Sequence, residues 1–324
     1  MKFTITFASL LVAGSVSAEP LMVYAPDYFA SEWGPGPAIK EAFEASCDCE
    51  MTYVTGDLMQ RLQLEGTKTD ADVAIGFSSD ITTRARETGL FAPHGLDLSL
   101  LTLPVDWTDE VFLPFNWSYT AFIYDNTKIT TPPASFAELV NSEEDWSIAI
   151  QDPRASVSGL ALVLWAQEVF GEDTEAAWAK LAPKITTVTK GWSESYGLFT
   201  DGEVDMVLSY TTSPAYHIIA EEDLTKSAAI FEEGHYFLAE SAAKLTTTDQ
   251  PDLADAFMAF ILTDTFQRII PTANWSYPAA LPQSEWPEAF SALNYPQKSI
   301  FLNDTQADDL RDAAIDAWRA GFSQ

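Results

Sequence analysis

Short apolar runs alternate along the chain with segments whose apolar residues recur every three or four positions. Residues 21–24, 51–54 and 71–76 read as strands. Residues 37–45, with Ile39, Ala42 and Phe43 on one side, read as a helix, as do residues 58–64 and a segment near 81–87. A second set repeats the alternation: strands at 146–150, 185–188 and 206–210, and helices at 158–170 and 174–181. A further helix starts near Ser213-Pro214, with serine as the expected N-cap and proline at the first helical position. Two longer extended runs, 112–124 and 236–245, join the two sets. Residues 251–270 read as one helix, and residues 305–320 as a final amphipathic one. This alternation predicts an α/β architecture with mostly parallel sheets. No internal repeat is visible.

Charge and processing signals narrow the class. The formal net charge of −31 would repel phosphates, so nucleic acid is excluded as a partner. The acids are scattered, as on a hydrated surface, rather than gathered into a steering patch. Lys2, the mostly apolar run 3–12 and the small-x-small Val16-Ser17-Ala18 form the pattern of a signal peptide over residues 1–18, with the mature chain starting at Glu19. No cysteine follows that site, so a soluble periplasmic protein is expected rather than a lipid-anchored one. The remaining length suits two domains. Cys47 and Cys49 are the two cysteines, and an oxidising compartment permits a disulfide between them. His94, His217 and His235 lie far from that pair without ligand spacing, so no metal site is expected.

Candidate chemistry concentrates in residues 190–199 and 208–216, where rings and small hydroxyls fall between strand and helix patterns. Ligands of open α/β sheets sit at the carboxyl ends of strands beside helix N-termini. Tyr210, Ser213 and Tyr216 fall there. Trp192 follows a glycine in a stretch that is neither helical nor alternating, unlike Trp165 and Trp178 inside helix patterns, and reads as a ligand-facing ring in a loop. Trp275 lies in a polar loop after a helix. Ser156 precedes the helix from Ser158, either as a cap or as an anion contact. Trp33, in Trp-Gly-Pro-Gly-Pro, either lines a cleft or covers the helix that follows. Aromatic faces and hydroxyls of this kind suit a flat, cationic heteroaromatic ligand.

Several segments together resemble the periplasmic thiamine-binding proteins of bacterial ABC transporters, which are class II solute-binding proteins. They are Trp33-Gly34-Pro35-Gly36-Pro37, Cys47-Asp48-Cys49, Gln151-Asp152-Pro153-Arg154, Thr189 to Glu194, Leu208 to His217, Glu233-Gly234-His235-Tyr236, and Ile270-Pro271-Thr272 followed by Asn274-Trp275. The resemblance covers nearly the whole chain except a divergent stretch from Pro282 onward. It implies an α/β, two-lobed periplasmic-binding-protein fold with two interlobe crossover strands and a ligand cleft between the lobes. The lobes are expected at 19–115 with 240–272, and at 116–239 with 273–324. It implies a monomer that is not an enzyme and needs no cofactor. Thiamine, thiamine monophosphate or thiamine diphosphate is the cargo. The implied partners are an inner-membrane ABC permease and its cytoplasmic ATPase.

By the same resemblance, Trp192, Tyr210, Tyr216 and Trp275 are ligand rings, Ser156 and Ser213 are polar contacts, and Trp33 lines the cleft. The family's ligand carboxylate maps to Asp57, in a shortened loop where the residue has the alternative of capping a helix. The family's first-loop tyrosine falls at Pro26, with Tyr28 as the neighbouring ring. Two other readings stay open. One is a secreted thiamine-degrading transferase of the same fold, for which Cys47 or Cys49 would be the nucleophile. The other is a binding protein for another small cation.

Overall fold

A computed structural model describes residues 19–323, so the signal-peptide expectation for residues 1–18 lies outside the described residues. The main path of the sheet runs in the order Met51–Thr55, Leu21–Ala25, Val73–Ser78, His235–Leu245, Leu113–Asp125, Met206–Tyr210, Ile148–Gln151, Ile185–Thr189. The three strands at each end pair in parallel, as expected of strands joined through helices. The centre departs from the mostly parallel expectation. His235–Leu245 and Leu113–Asp125 are antiparallel to each other and to their outer neighbours. Two strands that carry the chain between lobes in opposite directions can pair only this way.

Leu113–Asp125 is buried along 12 of its 13 residues because both lobes cover it. Its side chains alternate in character. Phe115, Trp117 and Tyr119 lie on one face, and Asn116, Ser118 and Thr120, all buried, on the other. His235 ties the two long strands together. Its Nδ1 donates to the Thr120 carbonyl at 2.8 Å, and its Nε2 accepts from the Phe231 amide at 2.8 Å. Burial pulls its pKa down to about 4, so the ring stays neutral in this tautomer.

Each lobe has its own core. In the first, Gly36–Ser46 and Pro251–Ile261 cover the sheet, with Phe43 edge-on to Phe257 at 5.1 Å. In the second, Val157–Phe170 lies between the sheet and the long helix Asp304–Phe322, and residues 158–166 are buried all round. Such a helix reads as apolar rather than amphipathic. The predicted helix over 251–270 is three pieces: Pro251–Ile261, Asp264–Gln267 and Ile270–Ala273. Thr263 breaks it by taking an extended conformation and capping the second piece, while the apolar spacing runs on across the break. Cys47 and Cys49 form the disulfide that an oxidising compartment permits.

Val157–Phe170 approaches the strand before it closely at Gly159. A Cβ there would meet the Gln151 carbonyl oxygen at 2.6 Å and Asp152 C at 2.8 Å, both backbone atoms. Gln151 is the hub beneath the second lobe's edge of the cleft. It accepts from Ser158 Oγ at 2.7 Å and donates to Ser195 Oγ and to the Leu208 carbonyl. Gly159→Ala is expected to lower unfolding free energy by roughly 1–3 kcal/mol, the usual cost of overpacking against backbone. Denaturant unfolding of both proteins checks this, and equal midpoints would contradict it.

Candidate functional site

Strand ends of both lobes and the crossing strands bring the candidate residues into one network of contacts. From the first lobe, Tyr28 sends its hydroxyl to Glu240 on the crossing strand His235–Leu245. Glu240 also accepts from Asn116 Nδ2 at 2.6 Å and Asn274 Nδ2 at 3.3 Å. Asn274 leads into Trp275, whose ring meets Tyr216 edge-on at 5.1 Å. Beside Tyr216, His217 accepts from or donates to the Tyr196 hydroxyl at 2.9 Å. Tyr196 stacks on Trp192 at 4.5 Å and 21°. The Trp192 indole donates to Ser209 Oγ at 2.8 Å, and Tyr210 follows. Tyr210 lies near enough to Glu240 for that carboxylate to help keep its phenol protonated. The contacts thus run as a chain from Tyr28 through Glu240, Asn274, Trp275, Tyr216, His217 and Tyr196 to Trp192.

Trp192 differs from its expectation in local structure. It is the first residue of the helix Trp192–Thr200 rather than a loop residue. The Glu194 carboxylate accepts the Lys190 amide at 3.1 Å and the Gly191 amide at 3.4 Å, which closes the N-terminus. One indole face packs on Tyr196, and the side chain stays 39 % exposed. Ser213 is likewise inside its helix, Ser213–Ala220, with Thr212 before it as N-cap. The Ser213 hydroxyl is within 2.7 Å of Ser209 Oγ and accepts the Tyr210 amide at 3.3 Å, so it fastens the turn after the strand. Tyr216 is partly exposed. Trp275 holds a left-handed backbone, φ 53°, which is costly for a bulky residue and concentrates at functional sites. Burial raises the Tyr210 phenol, and Glu240 raises it further, so its hydroxyl remains protonated.

Ser156 is the N-cap of Val157–Phe170, but its hydroxyl makes no capping bond; it pairs with Ser158 Oγ at 3.0 Å. The first amides of that helix therefore have no side-chain acceptor at this cap. Asp57 is exposed and accepts the Gln60 amide at 2.9 Å as the cap of Leu58–Glu65, while Arg61 pairs with Glu65. Trp33 is 83 % exposed and lies outside this chain of contacts. Trp192, Tyr210, Ser213, Tyr216, Trp275 and Ser156 thus join or adjoin one network of side-chain contacts, and Trp33 and Asp57 share none of those contacts.

Glu240, Asn116, Asn274, Tyr196 and Ser209 were not foreseen. A signal for Glu240 existed, since it is the lone charge in the apolar run 236–243. Asp80, also unforeseen, is 2 % exposed beside the same crossing strand. Ser78 Oγ donates to Oδ1, and Oδ2 has no partner. Burial pushes its pKa up to about 6, against the opposing pull of Ser78 and of Arg311. The folded state therefore holds this proton more tightly than the unfolded chain, whose value is 3.8. The ionised group costs stability above about pH 6, and the cost vanishes below about pH 4. Asp80→Asn is expected to raise unfolding free energy by about 1–3 kcal/mol at pH 8 and by nothing at pH 4. Urea unfolding at both values tests this, and destabilisation at pH 8 would show that the attraction to Arg311 dominates.

Residues 32–268 match the model of the bacterial extracellular solute-binding proteins. The chain is 44 % identical over 320 residues to the thiamine-binding periplasmic protein of Escherichia coli K12, covering 97 % of both. It is 42 % identical to the protein of that name from Brucella melitensis, covering 99 % of this chain and 98 % of the relative. Among solved structures, a periplasmic thiamin binding protein superposes with a TM-score of 0.90 at 44 % identity, over 98 % of this chain and all of the other. The two lobes, the paired crossing strands and these full-length likenesses agree, and the chain belongs to the bacterial extracellular solute-binding protein family.

Proposed function

We propose that this protein captures thiamine in the cleft between its lobes and delivers it, in the periplasm, to an inner-membrane ABC permease driven by a cytoplasmic ATPase. The observation that carries this reading is the run of aromatic contacts, Trp192 on Tyr196 and Tyr216 on Trp275, linked through Asn274 to the Glu240 carboxylate. Thiamine joins an aminopyrimidine to a permanently cationic thiazolium, and a desolvated cation over an aromatic face gains about 2 kcal/mol. Full-length likeness to proteins named for thiamine binding points the same way.

In this reading the rings sandwich the heterocycles. Ser156 and the amides that start its helix receive the hydroxyethyl arm, or the phosphate of thiamine monophosphate or diphosphate, as helix N-termini receive anions. Ser213 orients Tyr210 from below. The lobes, 19–115 with 240–272 and 116–239 with 273–324, close about the crossing strands. Asp57 and Trp33 are assigned no contact. Both sulfurs of the Cys47–Cys49 disulfide are spent, which favours binding over a transferase that needs a thiolate nucleophile.

Thiamine is expected to quench the intrinsic fluorescence of ligand-stripped protein by stacking on indole. Trp192→Ala should weaken the affinity by roughly 1–3 kcal/mol, the scale of losing a desolvated aromatic contact. A fluorescence titration of both proteins measures this. Absence of thiamine binding by the wild type would overturn the function, and unchanged affinity in the folded variant would remove Trp192 from the site.

A further inference from the structure

Among carboxylates near the cleft, Glu240 differs from the rest in its partners. Asp57 is exposed and committed to a helix cap. Asp80 is buried, Ser78 is its side-chain donor, and burial favours its protonated form. Glu221 is bonded to His217 Nδ1 at 2.6 Å. Glu240 receives three hydrogen bonds, from Tyr28, Asn116 and Asn274, and every donor is a neutral group. Among the described residues no lysine, arginine or histidine forms an ion pair with it. The donors fix the carboxylate in place without neutralising it. An ionised carboxylate offers about four lone-pair directions, so accepting capacity remains toward the cleft.

The backbone also prepares this position. The pairing of His235–Leu245 with Leu113–Asp125 slips at Glu240/Ser241, and its pairing with Val73–Ser78 slips at Ser241/Ala242. Such bulges re-aim a side chain and are common beside functional sites. Asn116 grips Glu240 at two points: its Oδ1 accepts the Glu240 amide at 3.3 Å, and its Nδ2 donates to the carboxylate. Asn274 couples the same carboxylate to the strained backbone of Trp275. An aromatic face and an uncompensated negative charge are thereby held together.

We propose that Glu240, and not Asp57, is the counter-charge of the ligand's thiazolium. Tyr28, Asn116 and Asn274 are its positioning residues. The inference rests on thiamine being the ligand. A charge pair that forms out of bulk water is far stronger than one at the surface, so the cleft selects the cation from neutral rings of the same shape. Trp275 supplies the stacking face, and Glu240 supplies the charge that stacking alone lacks.

The test is calorimetry of ligand-stripped wild type and Glu240→Gln against thiamine and against deazathiamine, the isostere whose thiophene carries no charge. Wild type is expected to prefer thiamine. Glu240→Gln should lose at least about tenfold in thiamine affinity and less than about twofold for the neutral isostere. Equal losses for both ligands would reduce Glu240 to a shape or hydrogen-bonding role, and no loss for either would remove it from the site. If the variant does not fold, the wild type still decides, because equal affinity for the two ligands contradicts a counter-charge. Wild type that binds neither ligand would overturn the thiamine reading itself, an outcome distinct from the others.

Discussion

The antiparallel pairing of Leu113–Asp125 with His235–Leu245 is the constraint on which the molecule depends. Both strands pass between lobes, where backbone buried from water must find partners within the protein. Each strand supplies the other's partners and then extends into an outer sheet of parallel strands. Because side chains alternate across a strand, one face of Leu113–Asp125 carries Phe115, Trp117 and Tyr119 into a core. The opposite face carries Asn116, Ser118 and Thr120 toward the middle of the molecule. Ser118 meets Thr212 at 3.1 Å just before the helix that bears Tyr216. The strands that join the lobes therefore also carry polar side chains into contact with elements of both.

A negative net charge does not make a cation site. Most of the acids in this chain are solvated, and surface charges more than about 10 Å apart are largely screened by salt. Position distinguishes one of them. Glu240 sits at a bulge and is gripped by neutral amides and a phenol, one of those amides next in sequence to Trp275. Behind the aromatic wall, the Tyr196–His217–Glu221 chain of hydrogen bonds keeps Tyr196 in plane under Trp192. The wall is thereby stiff before a ligand arrives, which limits the ordering cost of binding.

Strand and helix positions were legible in the chain wherever periodicity was strong. The strands at 21–25, 148–151 and 206–210 and the helices at 36–46 and 174–181 lie within two residues of expectation. Failures share a physical cause: local pattern was silent about tertiary competition. Trp192–Thr200 lacks an apolar stripe and reads as a loop, although Glu194 supplies a capping signal three residues after Gly191. Ser213 looks like an N-cap, but its hydroxyl is taken by Ser209 and the Tyr210 amide. The break at Thr263 is invisible because apolar spacing continues across it. Glu240 is hidden in the sequence because an extended apolar run announces a strand, and the register slip beside it arises only from pairing with partners more than a hundred residues away.

A crystal structure of the thiamine complex tests the central claim most directly. The account predicts the ligand between the lobes, with its rings against Trp192 and Trp275 and its thiazolium within about 4–6 Å of the Glu240 carboxylate, the range over which an opposite charge acts strongly. A thiazolium placed beside Asp57, or rings seated away from both tryptophans, would contradict it.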